Sequence, residues 1–327
     1  MAGLGMRVKP LLTAVLKVSV TLAMFAILLT RTSIEGILQK TVTVGPLVLL
    51  AAGTLLFCLL PTTAVRWRLV LKSLGAPLGL AELCRYTLIG GFFNQLLPSG
   101  MGGDVLRAWY AKRADVPLVK AVASVVVDRL LAVMALLLIV VAGIPFAISS
   151  GLPHAALAAL AIVASGFVLA VAVFVAIDRG HDRLLAFLAS RAGTAARAVE
   201  ELLHAVRDTR RMMLTWPDGP VALGISLANH VAAGYAAYLL VVALGGQVAL
   251  VSAIILFLMV LLLTMLPISF AGWGVREGAM VVAFGFAGVP AEVSLGASIL
   301  YGACQLAAAL PGAAVWLLTR RVVPSNA

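Results

Sequence analysis

The chain reads as an all-α polytopic membrane protein with about six full spans and two oppositely oriented re-entrant helical hairpins, and three observations lead there. Hydrophobic residues make up 63% of the 327 residues and charged residues 11%. The mean hydropathy is +1.12. Apolar runs recur at about 20 residues, the length at which a helix crosses a hydrocarbon core. The runs are continuously apolar and rich in Ala, Leu and Val, whereas a membrane β-barrel would alternate polar and apolar positions. Two stretches, residues 92–110 and 264–280, break this pattern with proline, glycine and charge. The whole of 1–327 is expected to form a single transmembrane domain.

The first span is expected over Leu11–Thr30. Arg7 and Lys9 precede it in the manner of a secretory signal, yet the run is about 20 residues long and the small residues of Ala23–Ala26 fall in its middle, so it reads as a span. Lys17 lies inside it and either snorkels to the interface or faces the interior. Arg31, Glu35 and Lys40 form a short connection. The second span, Val44–Ala64, is followed by Arg66, Trp67, Arg68 and Lys72, which read as a basic and aromatic anchor at the cytoplasmic interface.

From Leu83 the chain re-enters, but too few residues separate Arg85, the break at Pro98 and the bases Arg107, Lys112 and Arg113 for two full crossings. A re-entrant hairpin over 81–113 is the economical solution, because a non-helical tip survives at membrane depth only where it is buried in protein or lines a wet cavity. The next span, Val119–Ile148, carries Asp128 and Arg129 well inside its apolar run, and another follows over Ala155–Ile177.

Residues 178–218 are the only long polar segment. They hold seven arginines, and Leu184, Leu188, Val199, Leu202, Leu203 and Val206 recur at helical spacing. This predicts an amphipathic basic helix on the cytoplasmic surface, attracted to anionic lipid in general or to one headgroup. The fifth span, Val221–Leu244, contains Asn229, His230, Tyr235 and Tyr238, and its lone histidine reads as a packed, hydrogen-bonded group ahead of a proton carrier. The second hairpin, 249–288, breaks at Pro267, and the last span runs over Val293–Leu318 to Arg320 and Arg321.

Charge parity orients the chain. With both termini and the arginine-rich loops cytoplasmic, only Arg31 and Lys40 among the loop bases lie outside. The second hairpin then enters from the outer face and the first from the cytoplasmic face, as in inverted repeats whose broken helices meet near the midplane. The net charge of +11 follows from the same positive-inside bias, so nucleic acid is not an expected partner. Cys58, Cys84 and Cys304 are far apart in apolar sequence and show neither disulfide nor metal spacing.

The two breaks share a grammar: Leu-Pro, a serine, glycines, then an acid and an arginine opening a new helix. Proline ends the incoming helix. Glycine lets backbone approach a ligand, and the new helix offers unpaired N–H groups at its positive end. Arg107, Arg129 and Arg276, with Ser99, Gly102, Gly103 and Asn94, are therefore the candidate anion-binding groups, for phosphate or carboxylate. Asp104, Asp128 and Glu277 are candidate charge partners or proton carriers. Asp104 can cap its helix and pair with Arg107 three residues on. Arg276 and Glu277, being adjacent, are expected to diverge around their helix, with Asp128 and Arg129 as the nearest other partners. A purely structural ion network is the competing reading. No catalytic residues are assigned: there is no GxxxxGK[ST] loop, GxSxG elbow, nucleophile-base pair or metal cluster, and no cofactor or metal is expected.

The phrases FFNQLLPSGMGGDVLRAW, SVVVDRLLAV and LPISFAGWGVREGAM, with Arg66-Trp67, resemble the flippase-like transmembrane family of lysylphosphatidylglycerol synthases of the multiple peptide resistance factor type, over about Leu11–Leu318. The resemblance implies a lipid-translocating fold with two re-entrant elements around a hydrophilic cavity, and the positions matching its motifs are Asp104, Arg107, Arg129, Arg276 and Glu277. Asp128 stands where glutamate is expected in many relatives. The sequence ends at Ala327 without a soluble aminoacyl-transferase domain, so the expectation is a stand-alone member that is not an enzyme and translocates a lipid other than a lysylated one. On this reading the protein is a flippase or scramblase of the cell inner membrane. Its substrate would be an anionic or phosphate-bearing lipid, a membrane phospholipid or a polyprenyl-phosphate lipid. A homodimer and a lipid-modifying enzyme are the protein partners left open. Two other roles compete: an accessory subunit or membrane-embedded transferase in lipid modification, and a secondary transporter of a soluble anion.

Overall fold

The computed structural model describes residues 41–42, 44–97, 102–149, 194–265, 269 and 272–320, with scattered positions within 18–35 and 154–172. Most of the expected first span with Lys17, the bases Arg31 and Lys40, about half of the Ala155–Ile177 span, residues 178–193, and Pro98, Ser99 and Pro267 at the breaks lie outside the described residues. All regular structure among the described residues is helical. The helices are α1 (Pro46–Ser73), α2 (Leu80–Leu96), α3 (Gly102–Arg113), α4 (Leu118–Ala142), α5 (Ile144–Ser149), α6 (Thr194–Met213), α7 (Asp218–Ala243), α8 (Leu250–Thr264), α9 (Val275–Gly285) and α10 (Ala291–Arg320). Four of them, α1, α4, α7 and α10, are long and apolar enough to cross a membrane. They coincide with four of the six spans read from the sequence. The helices before the breaks are shorter, 17 residues for α2 and 15 for α8.

The order of elements repeats within the chain, and the turns show why. α1 ends at Gly75, whose φ of 66° suits glycine, with the Ala76 N–H donating to the Leu71 carbonyl at 3.0 Å. α7 ends the same way at Gly245, φ 85°, with Gly246 donating to Val241 at 2.9 Å. This six-to-one closure satisfies helix-end carbonyls and turns the chain sharply. After each break the pattern recurs: Ala114-Asp115-Val116-Pro117 follows α3 and Ala287-Gly288-Val289-Pro290 follows α9. The second residue of each has positive φ, and each valine N–H reaches back five residues, to Ala111 and to Phe284. Long helix, glycine turn, short helix, break, short helix, turn and long helix thus occur twice, from α1 to α4 and from α7 to α10.

The chain forms two compact units. One contains residues 59–89 and 104–230. Its core joins Trp67, Leu71 and Leu83 to Ala108, Ala111, Ala121 and Val125, and a second cluster joins Val70 and Leu74 to Ala123, Val127, Leu131 and Met212. In α4 the residues Leu118, Val122, Val126 and Leu130 are exposed at intervals of four, whereas Ser124, Asp128 and Leu131 are buried. The apolar stripe suits lipid, and the opposite face carries the only charge of the helix interior that is fully buried. The helix α6 packs along α4, and Met212 from its last turn enters the core, so part of its apolar face is spent on protein.

The other unit contains residues 1–58, 90–103 and 231–327. Here α9 packs against both α8 and α10. Phe257, Met280 and Phe284 are fully buried, and the Phe257 and Tyr301 rings lie 4.7 Å apart between centroids.

Candidate functional site

In the first unit, five charged side chains from three helices join end to end. Arg66 of α1 donates through Nε to Asp128 Oδ1 at 2.7 Å, and Arg107 of α3 donates through Nη2 to the other oxygen, Oδ2, at 3.0 Å. Arg107 Nη1 also meets Asp104 Oδ1 at 3.4 Å, and Arg129 Nε donates to Asp104 Oδ2 at 2.6 Å. Arg66 Nη1 has a further acceptor, Ser226 Oγ on α7, at 3.0 Å. Burial grades along this chain: the Asp128 side chain is 1% exposed, Asp104 11% and Arg129 41%. A buried charge persists only when paired and hydrogen-bonded. Asp128 meets that condition with two arginines, while Arg129 uses one nitrogen on Asp104 and shows its remaining nitrogens to the surroundings.

Trp67 orders the middle of the network. The Arg107 guanidinium stacks 4.2 Å from its ring centroid, a favourable placement of a cation over a π face. The indole N–H donates to Ser124 Oγ at 2.9 Å, and Ser124 donates onward to the Ala121 carbonyl at 2.8 Å. The ring is therefore fixed in plane, and so is the guanidinium above it. Arg107 Nε is buried and has no hydrogen-bond partner among the described residues. Beside the network, Asn229 accepts from Thr62 at 2.8 Å and His230 Nε2 donates to the Ala132 carbonyl at 2.8 Å. The carbonyl can only accept, so this contact makes His230 an interhelical hydrogen-bonding group.

The second unit holds the other motif. Arg276, 4% exposed, donates to Glu277 Oε1 through Nη2 at 2.7 Å and Nε at 3.1 Å, and also to Ser298 Oγ and to Gln305 Oε1, each at 3.2 Å. Ser298 donates to the same Glu277 oxygen at 3.0 Å. The other oxygen, Oε2, accepts from the Gly274 N–H at 2.5 Å and so caps α9. Trp273 and Tyr301 face the guanidinium at 4.6 and 5.7 Å. A Cβ on Gly302 would collide with the Arg276 guanidinium and the Trp273 ring, so glycine on α10 makes room for the cluster.

The structure corrects two expectations. Arg276 and Glu277 do not diverge: the long arginine side chain bends back, and Ser298 on α10 draws both groups to one point. Asp128 and Arg129 are engaged elsewhere, by Arg66 with Arg107 and by Asp104. Arg66 and Trp67 are not an interfacial anchor, since α1 continues to Ser73 and both are buried, at 5% and 0% exposure. Arg68 and Lys72 are exposed, and Lys72 pairs with Asp218 at 2.8 Å. Arg66 is thus the network member that sequence reasoning missed. The signal was its place beside Trp67 in a phrase that resembles the family's. Asn94 accepts from the Gly103 N–H through its side-chain oxygen at 2.8 Å, capping α3. Gly103 is required there, because a Cβ would collide with the Gly90 carbonyl.

Long apolar helices that carry paired charges define a polytopic helical membrane protein with a buried ionic site. Residues 14–312 match the family described as the lysylphosphatidylglycerol synthase TM region, and the chain belongs to that family. It is 28% identical over 298 residues to a UPF0104 membrane protein of Methanothermobacter thermautotrophicus, covering 86% of this chain and 87% of the relative. It is 20% identical over 280 residues to a UPF0104 membrane protein of Methanocaldococcus jannaschii, covering 82% and 83%.

Proposed function

We propose that the protein moves a phosphate-bearing lipid between membrane leaflets, with the headgroup meeting Arg129 and Arg107 while the acyl or prenyl chains stay in the bilayer. One observation carries this reading. Among the described residues, Arg66, Arg107 and Arg129 pair only with the carboxylates of Asp104 and Asp128, so three positive charges less two negative leave one positive charge. An unbalanced charge among apolar helices is costly unless a ligand balances it, and Arg129 presents it at the exposed end of the network. Guanidinium groups suit the oxygens of phosphate and of carboxylate alike. The family description, which refers to a lipid synthase, supports a lipid over a soluble anion.

In this reading the two breaks are tips of re-entrant hairpins entering from opposite faces of the inner membrane, both termini are cytoplasmic, and the repeated order of elements is an inverted repeat. Arg276 is held inside its own cluster by Glu277, Ser298 and Gln305. The chain binds and moves lipid without covalent chemistry. The test is leaflet exchange of fluorescent phospholipid in reconstituted liposomes. Arg129→Gln is expected to slow exchange at least about tenfold, the scale of a lost charge-assisted contact, while the protein stays folded because Asp104 keeps Arg107 and the glutamine amide can still donate to it. Normal exchange by folded Arg129→Gln would remove the assigned role.

A further inference from the structure

We infer that the charge network is loaded sideways from the bilayer, and that Trp109 with Arg113 forms a second anion site, at which the headgroup boards. The inference rests on the lipid-translocation reading above and goes beyond it, since it concerns the route and not the kind of lipid.

The periodicity of α4 sets the direction of access. Leu118, Val122, Val126 and Leu130 form its exposed apolar stripe. Arg129 stands eleven residues beyond Leu118 and seven beyond Val122, and at about 100° per residue both steps return to within about 20° of the same direction. Its side chain, 41% exposed, therefore interrupts a face that suits hydrocarbon, about 16 Å along a helix of 25 residues. Ionisable groups within spans mostly turn toward the bundle interior or a wet cavity. Arg129 departs from that rule, and a ligand that reaches it along this stripe comes from the lipid side.

The same face continues onto α3. Asp104, which Arg129 holds at 2.6 Å, is followed directly by Val105, whose side chain is 69% exposed. Val105, Trp109 and Arg113 are spaced by four residues and follow one line along the helix. Trp109 and Arg113 are both exposed, and the guanidinium lies 4.8 Å from the indole ring centroid. Among the described residues Arg113 has no ion pair. A guanidinium steadied over a ring in this way keeps its N–H donors for an arriving anion. From the end of α3 inward, the line thus runs from an unpaired cation past an indole and a valine to the surplus cation at Arg129. That order matches an anionic headgroup stepping between two cations while its chains lie against Val105 and Val122.

The experiment measures exchange of a fluorescent phosphatidylglycerol probe, graded in phosphatidylcholine vesicles at physiological ionic strength, where exposed charges more than about 8 Å apart are largely screened. Trp109→Ala combined with Arg113→Gln is expected to raise the half-saturating fraction about tenfold, the scale of one charge-assisted contact, and to leave the maximal rate within about twofold of wild type. Arg68→Gln is the control: this base is also exposed but belongs to α1 and not to the line on α3, so both quantities should stay within about twofold. Glycerol 3-phosphate in the bath, at constant ionic strength, should not compete. An unchanged half-saturation in the folded double variant would overturn the inference alone. So would an equal shift in Arg68→Gln, which would reduce the site to a general basic belt. Competition by glycerol 3-phosphate against wild type would overturn sideways loading even if the double variant does not fold. Failure of wild type to exchange the probe would overturn the lipid reading, and this inference with it.

Discussion

The two proline-glycine motifs share a grammar but divide their work differently. In the first, helix capping and ion pairing sit on separate residues: Asn94 receives the Gly103 N–H, and Asp104 is left to hold Arg107 and Arg129. In the second, Glu277 does both, capping Gly274 with one oxygen and pairing Arg276 with the other. The consequence is electrostatic. The Arg276–Glu277 cluster is neutral and buried, with Ser298 and Gln305 completing it, whereas the Asp104 network carries a surplus cation and reaches an exposed side chain. A motif read as letters predicts two equal halves of a site. Read as hydrogen bonds, one half carries an unbalanced cation and the other is closed on itself.

The comparison breaks most visibly at Asp128. Its carboxylate serves two arginines at once, so Asp128→Ala leaves two buried guanidinium groups without their partner. The expected cost is about 3–5 kcal/mol, seen as a melting temperature below that of every other single variant and as loss of lipid exchange. Glu277→Gln should come next, at about 2–3 kcal/mol, since the amide oxygen still accepts hydrogen bonds while the charge is lost. The closed cluster makes a further demand: Arg276→Met combined with Glu277→Gln should cost less than the two single changes added, with a coupling of about 1–3 kcal/mol. Additive costs in that cycle would show that the second motif is not a self-contained pair.

Gly302→Ala tests the same cluster without touching a charge. A methyl group there meets the Arg276 guanidinium and the Trp273 ring, both of which can shift only by disturbing the stack. A loss of about 1–3 kcal/mol is expected, as for overpacking in a core, measured by thermal unfolding in detergent.

Much of this was legible in the sequence. Apolar runs located α1, α4, α7 and α10, and the rarity of charge at membrane depth singled out Asp104, Arg107, Asp128, Arg129, Arg276 and Glu277. The errors arose where a local rule met a tertiary contact. Arg66 and Trp67 follow an apolar run and look like its boundary, but the helix end is set later by Gly75, and Asp128 draws Arg66 inward. Arg276 and Glu277 point apart on an ideal helix, and nothing near them in sequence reveals that Ser298 and Gly302, on another helix, provide the acceptor and the space to bring them together. The repeated Ala-x-Val-Pro turn was visible as letters, yet it carries meaning only once the positive φ at Asp115 and Gly288 is known.

The smallest expected effect is the most discriminating. Asn94→Ala removes a neutral cap from α3 and leaves the charge network intact, so the loss should be about 1 kcal/mol, the usual worth of an N-cap side chain. Lipid exchange should remain within a few-fold of wild type, because that cost falls on the helix end and not on the guanidinium groups. In the second motif no such separation exists, since any change that removes the Gly274 cap also removes the partner of Arg276. If Asn94→Ala instead abolished exchange in a folded protein, the amide would be acting on the ligand. The division of labour between Asn94 and Asp104 would then collapse into the single-residue arrangement seen at Glu277.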